Sequence, residues 1–387
     1  METMLPIKRY RIFILALLGL IGCIEKYYPK EIYENESNLV ISGRVTTSGD
    51  YHLVKVSKTS SLQVPKYNPV TACNVVIEDS DGNTFVSDFS TNKGEYYVRI
   101  APEFLVVGKA FKLKVVTPQG FAIESTFDTL KPCPEVSDMY FQRFDKPTSN
   151  PQIFERGAQF MIDIEADESY DRFFCWELEE TYEYLSAFPL EYYYDGEVHA
   201  IPPDYHMYHC WQTLPIKDFF PLSTKNLSEN RFVGYNLHFV NNRSQKLMHL
   251  YSVMLHQYSI SEAYHFYLEQ LKNNSNNQEG LFGTQPLNVK GNLVSTSNPE
   301  SNVLGFFSAE GVKSRRFFFS FVMDVPFEIP ESCVPYVPLN GFSSFHPDDY
   351  PIYLAMGEDG VVGYVMQSCI DCRLLGGTTE KPDFWPY

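Results

Sequence analysis

The chain has 387 residues, and a typical domain of about 150 residues makes two or three domains the expectation. Its net charge of −17 at pH 7 argues against nucleic-acid binding, because phosphate contacts require lysine and arginine. Aromatic residues make up 16% of the sequence, which favours β-structure and binding interfaces over helical bundles.

A basic segment, a short apolar run and a cysteine follow one another near the N-terminus. Basic residues between positions 8 and 11 precede the apolar stretch 12–20, which is shorter than the roughly 20 residues of a membrane span. The order Leu20-Ile21-Gly22-Cys23 resembles a bacterial lipobox, in which the cysteine is acylated and becomes the first mature residue. The sequence therefore predicts a lipoprotein signal peptide over residues 1–22 and lipidation of Cys23. The alternative is an ordinary signal peptide with a chance cysteine.

Downstream of Cys23, the cysteines predict disulfide bonds, because export brings them to a compartment where such bonds persist. The expected bridged set is Cys210, Cys333, Cys369 and Cys372, and the sequence does not determine the pairing. The spacing Cys369-x-x-Cys372 also suits a metal or redox site. A four-cysteine zinc site would need a second such pair, which the sequence lacks, so no metal is predicted.

Residues 23–37 are polar and charged and predict a tether, and residues 38–130 predict a compact N-terminal β-sandwich. Turn residues at Asp79–Asn83 and Thr117–Gly120 each separate two alternating runs, as in β-hairpins. Short strands at regular spacing are typical of a sandwich. Their order resembles the transthyretin-like modules that accompany carboxypeptidases and begin some outer-membrane receptors, and such modules are usually non-catalytic.

Residues 131–387 predict a second β-rich domain, which begins after the rigid boundary Lys131–Pro134. One helix is predicted near residues 259–274, with Ser259 as N-cap and Glu262 completing a capping box. Apolar residues at helical spacing follow this box. The overall prediction is a mainly β protein with two β-sandwich-like domains and one helix packed on the second.

An irregular, aromatic stretch lies between the predicted strands of the second domain. Tyrosine and tryptophan give large amphipathic contact areas, as protein interfaces and sugar platforms do. The stretch therefore predicts an exposed binding patch, and the alternative is that its rings line the core. The candidate patch residues are Tyr182, Tyr184, Tyr192, Tyr193, Tyr194 and Trp211.

Two further site predictions concern modification and catalysis. The tripeptide Asp128-Thr129-Leu130 resembles a bacterial O-glycan acceptor, so Thr129 is a glycosylation candidate, with a plain strand end as the alternative. The sequence contains no Gly-x-Ser-x-Gly motif and no nucleotide-binding glycine loop. No catalytic residue and no cofactor are predicted.

Three stretches of the mature chain carry further motifs in a fixed order. They are Asn38–Gly43 after the lipobox, the run Gly280–Ala309 with Gly291-Asn292-Leu293 and Gly305-Phe306-Phe307-Ser308-Ala309, and the tail Cys369–Pro386. Together they resemble a family of Bacteroidota lipoproteins known as domain of unknown function 4249. The resemblance brings no catalytic residues.

The resemblance implies a lipoprotein anchored by acyl chains in the outer membrane, on its periplasmic or cell-surface face, and often found beside TonB-dependent receptors. The function expected is therefore that of a binding or accessory partner of such a receptor in substrate capture or uptake. The alternative is a cell-surface hydrolase or carbohydrate-active enzyme with a site that no motif reveals.

Overall fold

A computed structural model describes residues 38–60, 65–150, 152–277, 289–320 and 333–386. Cys23, the signal peptide and the tether lie outside the described residues. The described chain is mainly β, as predicted, with one α-helix among 21 strands. Within these ranges no helix combines the length and the apolar character that crossing a membrane requires.

Nine strands form the first part of the described chain. They are β1 (Leu39–Thr46), β2 (Tyr51–Lys58), β3 (Asn68–Pro69), β4 (Asn74–Asp79), β5 (Thr84–Ser90), β6 (Glu95–Arg99), β7 (Ala110–Val116), β8 (Ala122–Ser125) and β9 (Asp128–Thr129).

The remaining elements follow in chain order. They are β10 (Met139–Pro147), β11 (Phe154–Glu165), β12 (Phe173–Leu185), β13 (Leu190–Tyr194), β14 (Val198–Asp204), β15 (His209–Ser223), β16 (Arg231–Asn241), β17 (Leu250–Ser259), helix α1 (Glu262–Asn277), β18 (Leu293–Ser295), β19 (Val303–Ser320), β20 (Ile352–Met356) and β21 (Val362–Tyr364). Short 3₁₀ turns occur at Pro102–Phe104, Gln245–Leu247, Phe342–Ser344, Pro347–Asp349, Gln367–Cys369 and Cys372–Leu375.

The strands of the described ranges form one large sheet and two small ones. The large sheet has the order β15-β12-β17-β19-β1-β2-β6-β5-β4-β7-β8-β18, with β3 paired to β2 and β9 to β7. The small sheets have the orders β10-β11-β16 and β14-β13-β20-β21.

The N-terminal unit comprises β1–β9, β18 and the first half of β19. Its strands alternate between buried and exposed residues, which places one face of each strand inside. Ile41 and Val54, on one side, share a core with Ile77 and Leu113 on the other. The hairpins expected at Asp79–Asn83 and Thr117–Gly120 join β4 to β5 and β7 to β8.

Strand β19 belongs to both halves of the molecule. Its first half runs parallel to β1, from Leu39 opposite Val303 to Thr46 opposite Glu310. Its second half runs antiparallel to β17. The sequence placed all of residues 131–387 in a second domain. Instead, β18 and the start of β19 return to the N-terminal core, where Leu293 and Phe307 are buried.

The second unit comprises β10–β12, β15–β17 and the second half of β19. The sheet β10-β11-β16 packs on the strands β12, β15, β17 and β19 across an aromatic core. The ring centroid of Phe160 lies 5.2 Å from that of Tyr251 and 5.0 Å from that of Phe319. Burial of each such side chain contributes roughly 1.5–3 kcal/mol, so this core holds the two layers together.

Helix α1 packs on the large sheet, on the face of β12 and β17 opposite to the aromatic core. The contact is made by Leu268 against Cys175 and Tyr258. The helix begins at Glu262, and the Ser261 hydroxyl accepts the backbone N–H of Tyr264 at 3.3 Å. The prediction of Ser259 as N-cap is therefore wrong. Ser259 is the last residue of β17 and pairs with Gly311, so the helix cannot begin until the strand has ended.

Candidate functional site

A cleft lies where the N-terminal unit meets the second unit, between the outer face of β1 and β2 and helix α1. Along β1, Ile41 and Val45 point into the core, so Ser42 and Arg44 face outward toward the cleft. Strand β12 contributes Glu177 from the opposite wall.

Arg44 bridges the two units across this cleft. Its two terminal nitrogens donate to the two carboxylate oxygens of Glu177, each at 2.8 Å. The guanidinium carbon lies 4.8 Å from the ring centroid of Tyr258 on β17. The Tyr258 hydroxyl also donates to Glu177 at 3.3 Å. The planar fork of arginine suits this paired contact with a carboxylate and an aromatic face.

Glu310 is a buried carboxylate behind this ion pair. Its side chain is 1% exposed, and the Ser308 hydroxyl donates to it at 2.5 Å. The nearest Arg44 nitrogen is 3.9 Å away, which is an ionic contact rather than a hydrogen bond. Burial raises the pKa of Glu310 to about 7, and the positive charge of Arg44 opposes this rise.

The cleft has two lobes, which share the lining residues Ser42, Arg44, Glu177, Tyr264 and Phe306. The outer lobe, of about 360 Å³, is lined mainly by β1 and β2. The inner lobe, of about 220 Å³, is lined by aromatic side chains and by Glu310. Cys175 also lines the inner lobe, but burial raises the pKa of its thiol, which keeps the sulfur protonated and a poor nucleophile.

An exposed aromatic group, which we term the aromatic ladder, adjoins the outer lobe. It consists of Tyr51, Phe89 and Tyr97 on the outer face of β2, β5 and β6. Phe89 stacks on Tyr97 with ring centroids 4.6 Å apart and meets the edge of Tyr51 at 5.5 Å. Tyr51 is 46% exposed and Phe89 is 51% exposed, and Tyr51 itself lines the outer lobe. Cleft and ladder thus form one continuous surface.

The sequence motifs Gly291–Leu293 and Gly305–Ala309 form the wall behind the cleft. A Cβ atom at Gly305 would lie 1.8 Å from the carbonyl oxygen of Ile41, and one at Gly291 would lie 1.6 Å from that of Gly305. The amide of Asn292 donates to the carbonyl of Phe307 at 2.7 Å and accepts its N–H at 2.9 Å. These contacts fix the crossing of β19 past β1 and so position Phe306 and Glu310.

The prediction of an exposed patch that includes Tyr182, Tyr184 and Trp211 is wrong, because these three side chains are buried. The C-terminal tail covers Tyr184 and Trp211. The Tyr184 hydroxyl donates to the carbonyl of Cys372 at 2.9 Å, and Trp211 pairs with Thr378 through two backbone hydrogen bonds. The indole N–H of Trp385 donates to Glu183 at 3.1 Å and seals this edge.

The three consecutive tyrosines of the predicted patch differ from one another. Tyr194 is buried and packs against Phe342 and Tyr350, so it too is excluded from an exposed patch. Tyr192 is half-buried beside the same cluster. Tyr193 is also half-buried and stacks on His199 at 4.7 Å. The stretch is mainly the interior of a small sheet.

The four cysteines of the predicted bridged set stand in two disulfide pairs. Cys210 on β15 is joined to Cys372, with Cα atoms 5.9 Å apart, and Cys333 is joined to Cys369, with Cα atoms 5.7 Å apart. Both bonds tie the C-terminal tail, and the first attaches it to the second unit.

Thr129 is half-buried at the end of β9, and its glycosylation stays a prediction. The preceding residue, Asp128, is buried and accepts the backbone N–H of Ala309 at 3.0 Å and the Ser261 hydroxyl at 3.3 Å. Burial raises the pKa of Asp128. Asp128 therefore links β9 to β19 and to the start of helix α1.

A comparison of the sequence with models of known protein families gives one match. The sequence model of the family described as "Domain of unknown function (DUF4249)" matches residues 24–316, about three quarters of the chain. The chain belongs to this family. The matched residues include the whole cleft, whereas the tail after residue 316, on which part of the sequence resemblance rested, lies outside the match. No curated protein matches the chain.

Sequence reasoning missed Arg44, Glu177 and Glu310 because they come together from strands far apart in the chain. A local signal existed for Glu310 alone. It follows the apolar run Val303–Ala309, where a charged residue inside a strand indicates a buried, partnered carboxylate.

Proposed function

We propose that this chain is a lipid-anchored binding protein of the outer membrane that serves a TonB-dependent receptor in substrate capture or uptake. The observation that carries the proposal is the surface formed by the cleft and the aromatic ladder. Exposed aromatic side chains beside a concave site are the type of group enriched at interface centres. We further propose that the N-terminal unit is a transthyretin-like sandwich, a type of module that is usually non-catalytic.

Lipidation of Cys23 would strengthen binding to a membrane partner. An anchor and a short polar tether confine a protein to the membrane plane and raise its effective concentration against a receptor there. A modest interface then suffices. The anchor is tested by Cys23→Ala, which should abolish acylation and membrane retention, and unchanged fractionation would refute it.

Because Tyr184, Tyr194 and Trp211 are buried, we propose that the receptor contacts the aromatic ladder and not the aromatic stretch that the sequence predicted as a binding patch. We expect the double variant Tyr51→Ser/Phe89→Ser to lose most co-purification of the receptor from native membranes. Its melting temperature should stay within a few degrees of the wild type, because both rings are about half exposed.

Phe154→Ser provides the matched control, since this ring is 54% exposed on β11, in the second unit. It should leave co-purification unchanged. Retention of the receptor by the double variant would show that the ladder is not the contact. Failure of any receptor to co-purify with the wild type, at all detergent and salt conditions, would overturn the proposal.

A surface hydrolase is the second candidate, because Glu177 and Glu310 are two carboxylates in one cleft. Paired carboxylates serve glycoside hydrolysis when both reach the substrate. Here Arg44 lies between them, and Glu310 is 1% exposed. This arrangement favours binding over acid–base catalysis. Hydrolysis of a cell-surface glycan panel that is lost in Glu177→Gln would reverse the preference.

A further inference from the structure

We propose that the inner lobe of the cleft binds an organic cation, namely a primary ammonium group on a short aromatic or alkyl body, with Glu310 accepting its hydrogen bonds. The inference rests on the proposed binding function and names the chemical class of the ligand. The ammonium group belongs either to a free amine or to a lysine side chain of a partner.

The first argument is the balance of charge in the lobe. Among the described residues that line the lobe, two carboxylates, those of Glu177 and Glu310, face one guanidinium, that of Arg44. Arg44 directs its two terminal nitrogens to Glu177 and remains 3.9 Å from Glu310. When Glu310 is ionised, the lobe therefore carries an excess negative charge that a bound cation would neutralise.

The second argument is the acceptor capacity of Glu310. An ionised carboxylate offers about four lone-pair sites, and Ser308 supplies one donor at 2.5 Å. A buried charge is costly unless hydrogen bonds satisfy it. An ammonium group brings three donors and a full opposite charge, so it matches what this carboxylate lacks.

The third argument is the aromatic wall. Phe306 lies 4.9 Å from Tyr264 and 5.2 Å from Tyr267, measured between ring centroids, so the three rings form one surface. Cations within about 6 Å of an aromatic ring are attracted to its face. Arg44 already occupies the face of Tyr258 at 4.8 Å, which shows that this lobe accommodates a cation over a ring.

The fourth argument is size. The inner lobe measures about 220 Å³, and an apolar cavity of roughly 150 Å³ is sufficient for a benzene ring. A phenethylammonium ion therefore fits, with its ring against the tyrosines and its nitrogen at Glu310. The way in passes the Arg44–Glu177 pair, whose side chains are 37% and 38% exposed.

Binding should depend on pH through Glu310. The groups that act on it are Arg44 and Ser308, which favour its charged form, and Glu177 and Asp128, which oppose it. Tyr258, Tyr264 and Cys175 are buried nearby with raised pKa values and stay neutral. Because the pKa of Glu310 is about 7, the amine should bind roughly tenfold more weakly at pH 6 than at pH 8.

The test is isothermal titration of the full-length protein with phenethylammonium chloride, and with 2-phenylethanol as the neutral probe of the same shape. We expect the cation to bind at least tenfold more tightly than the alcohol at pH 8. Glu310→Gln should remove this preference and the pH dependence. Glu155→Gln, which removes an exposed carboxylate from β11, should change neither.

A second variant keeps the test independent of the stability of Glu310→Gln. Leu271→Trp fills the inner lobe without changing its charges and should abolish amine binding. Nα-acetyl-lysine methylamide identifies the source. Affinity equal to that of phenethylammonium indicates a lysine of a partner, and affinity more than tenfold weaker indicates a free amine.

Equal binding of cation and alcohol, binding that persists in Leu271→Trp, or no binding at all would overturn the inference. If the receptor still co-purifies when no amine binds, the inference fails and the proposed function stands. If amines bind and no receptor co-purifies, the receptor role fails and the ligand class stands.

Discussion

Arg44 and Glu177 are joined by two hydrogen bonds of 2.8 Å although 133 residues separate them in the chain. The contact connects β1 of the N-terminal unit to β12 of the second unit. Both side chains are partly exposed, so the pair alone contributes a modest stabilisation, on the order of 1 kcal/mol. Arg44 has a larger effect on the buried Glu310 behind it, because its positive charge stabilises the ionised form of that carboxylate.

The variant Arg44→Met should therefore destabilise the protein more at pH 8 than at pH 5. At pH 5 Glu310 is protonated and the variant loses roughly 1 kcal/mol from the pair with Glu177. At pH 8 Glu310 is ionised, and removal of the facing cation should cost about 3 kcal/mol or more. Denaturant unfolding at the two pH values measures the difference. Arg99→Met, at an exposed position on β6, is the control, and an equal loss at both pH values would contradict the prediction.

Glu310 and His52 should make the free energy of unfolding depend on pH in opposite directions. Burial raises the pKa of Glu310 from 4.5 to about 7, so the folded state retains a proton that the unfolded state releases, and stability falls as pH rises through this range. Burial lowers the pKa of His52 from 6.5 to about 4, so the unfolded state gains a proton first, and stability falls as pH falls. Each effect is on the order of 3 kcal/mol and the two nearly cancel in the wild type.

Because the two pH dependences nearly cancel in the wild type, single variants are needed to measure each of them. Relative to the wild type, Glu310→Gln should gain stability between pH 4.5 and 7, and His52→Asn should gain stability as pH falls from 6.5 to 4. Asparagine retains an acceptor for the Thr46 N–H, which lies 3.4 Å from His52 Nδ1. Unfolding free energies across this range measure both slopes, and two variants with parallel profiles would rule out the assignment.

Gly305→Ala should destabilise the protein by more than about 3 kcal/mol or prevent folding. Gly305 has φ of +107°, and a Cβ atom would lie 1.8 Å from the backbone oxygen of Ile41, which cannot move without breaking the pairing of β1 with β19. Gly120→Ala isolates the effect of backbone strain. Gly120 has φ of +86° and no atom near its Cβ position, so a loss of roughly 1–2 kcal/mol is expected. Similar melting temperatures for the two variants would contradict the close approach.

The two disulfides should differ in their contribution to stability. Cys210 and Cys372 are 162 residues apart, whereas Cys333 and Cys369 are 36 apart. On the chain-entropy account, loss of the longer loop costs about 5 kcal/mol and loss of the shorter about 4 kcal/mol. Double alanine variants of each pair, compared in denaturant under oxidising conditions, provide the measurement. In reductant both variants should approach the wild type, and a larger effect of the shorter loop would contradict this account.

Features of the fold that depend on neighbouring residues were predictable from sequence. The turn residues at Asp79–Asn83 specify a hairpin locally, and the helix lies within a few residues of its expected position. Export predicted that disulfides form, but it does not distinguish the four bridged cysteines from Cys73, Cys133 and Cys175, which are free. The pairing of β1 with β19 was not predictable, because it depends on close approaches at Gly291 and Gly305 rather than on a local pattern. Burial of Trp211 depends on the tail, which follows more than 150 residues later.

Strand β19 also determines when the molecule can be completed. The N-terminal unit is synthesised first, yet β1 exposes a hydrogen-bonding edge until Val303–Glu310 arrives beside it. Domains usually fold in the order of their synthesis. Here the N-terminal unit, which is synthesised first, cannot complete its sheet until Val303–Glu310 has been synthesised. Premature termination before β19 would therefore leave the N-terminal half with an open edge that is prone to pair with other chains, even though all of its own hairpins are present.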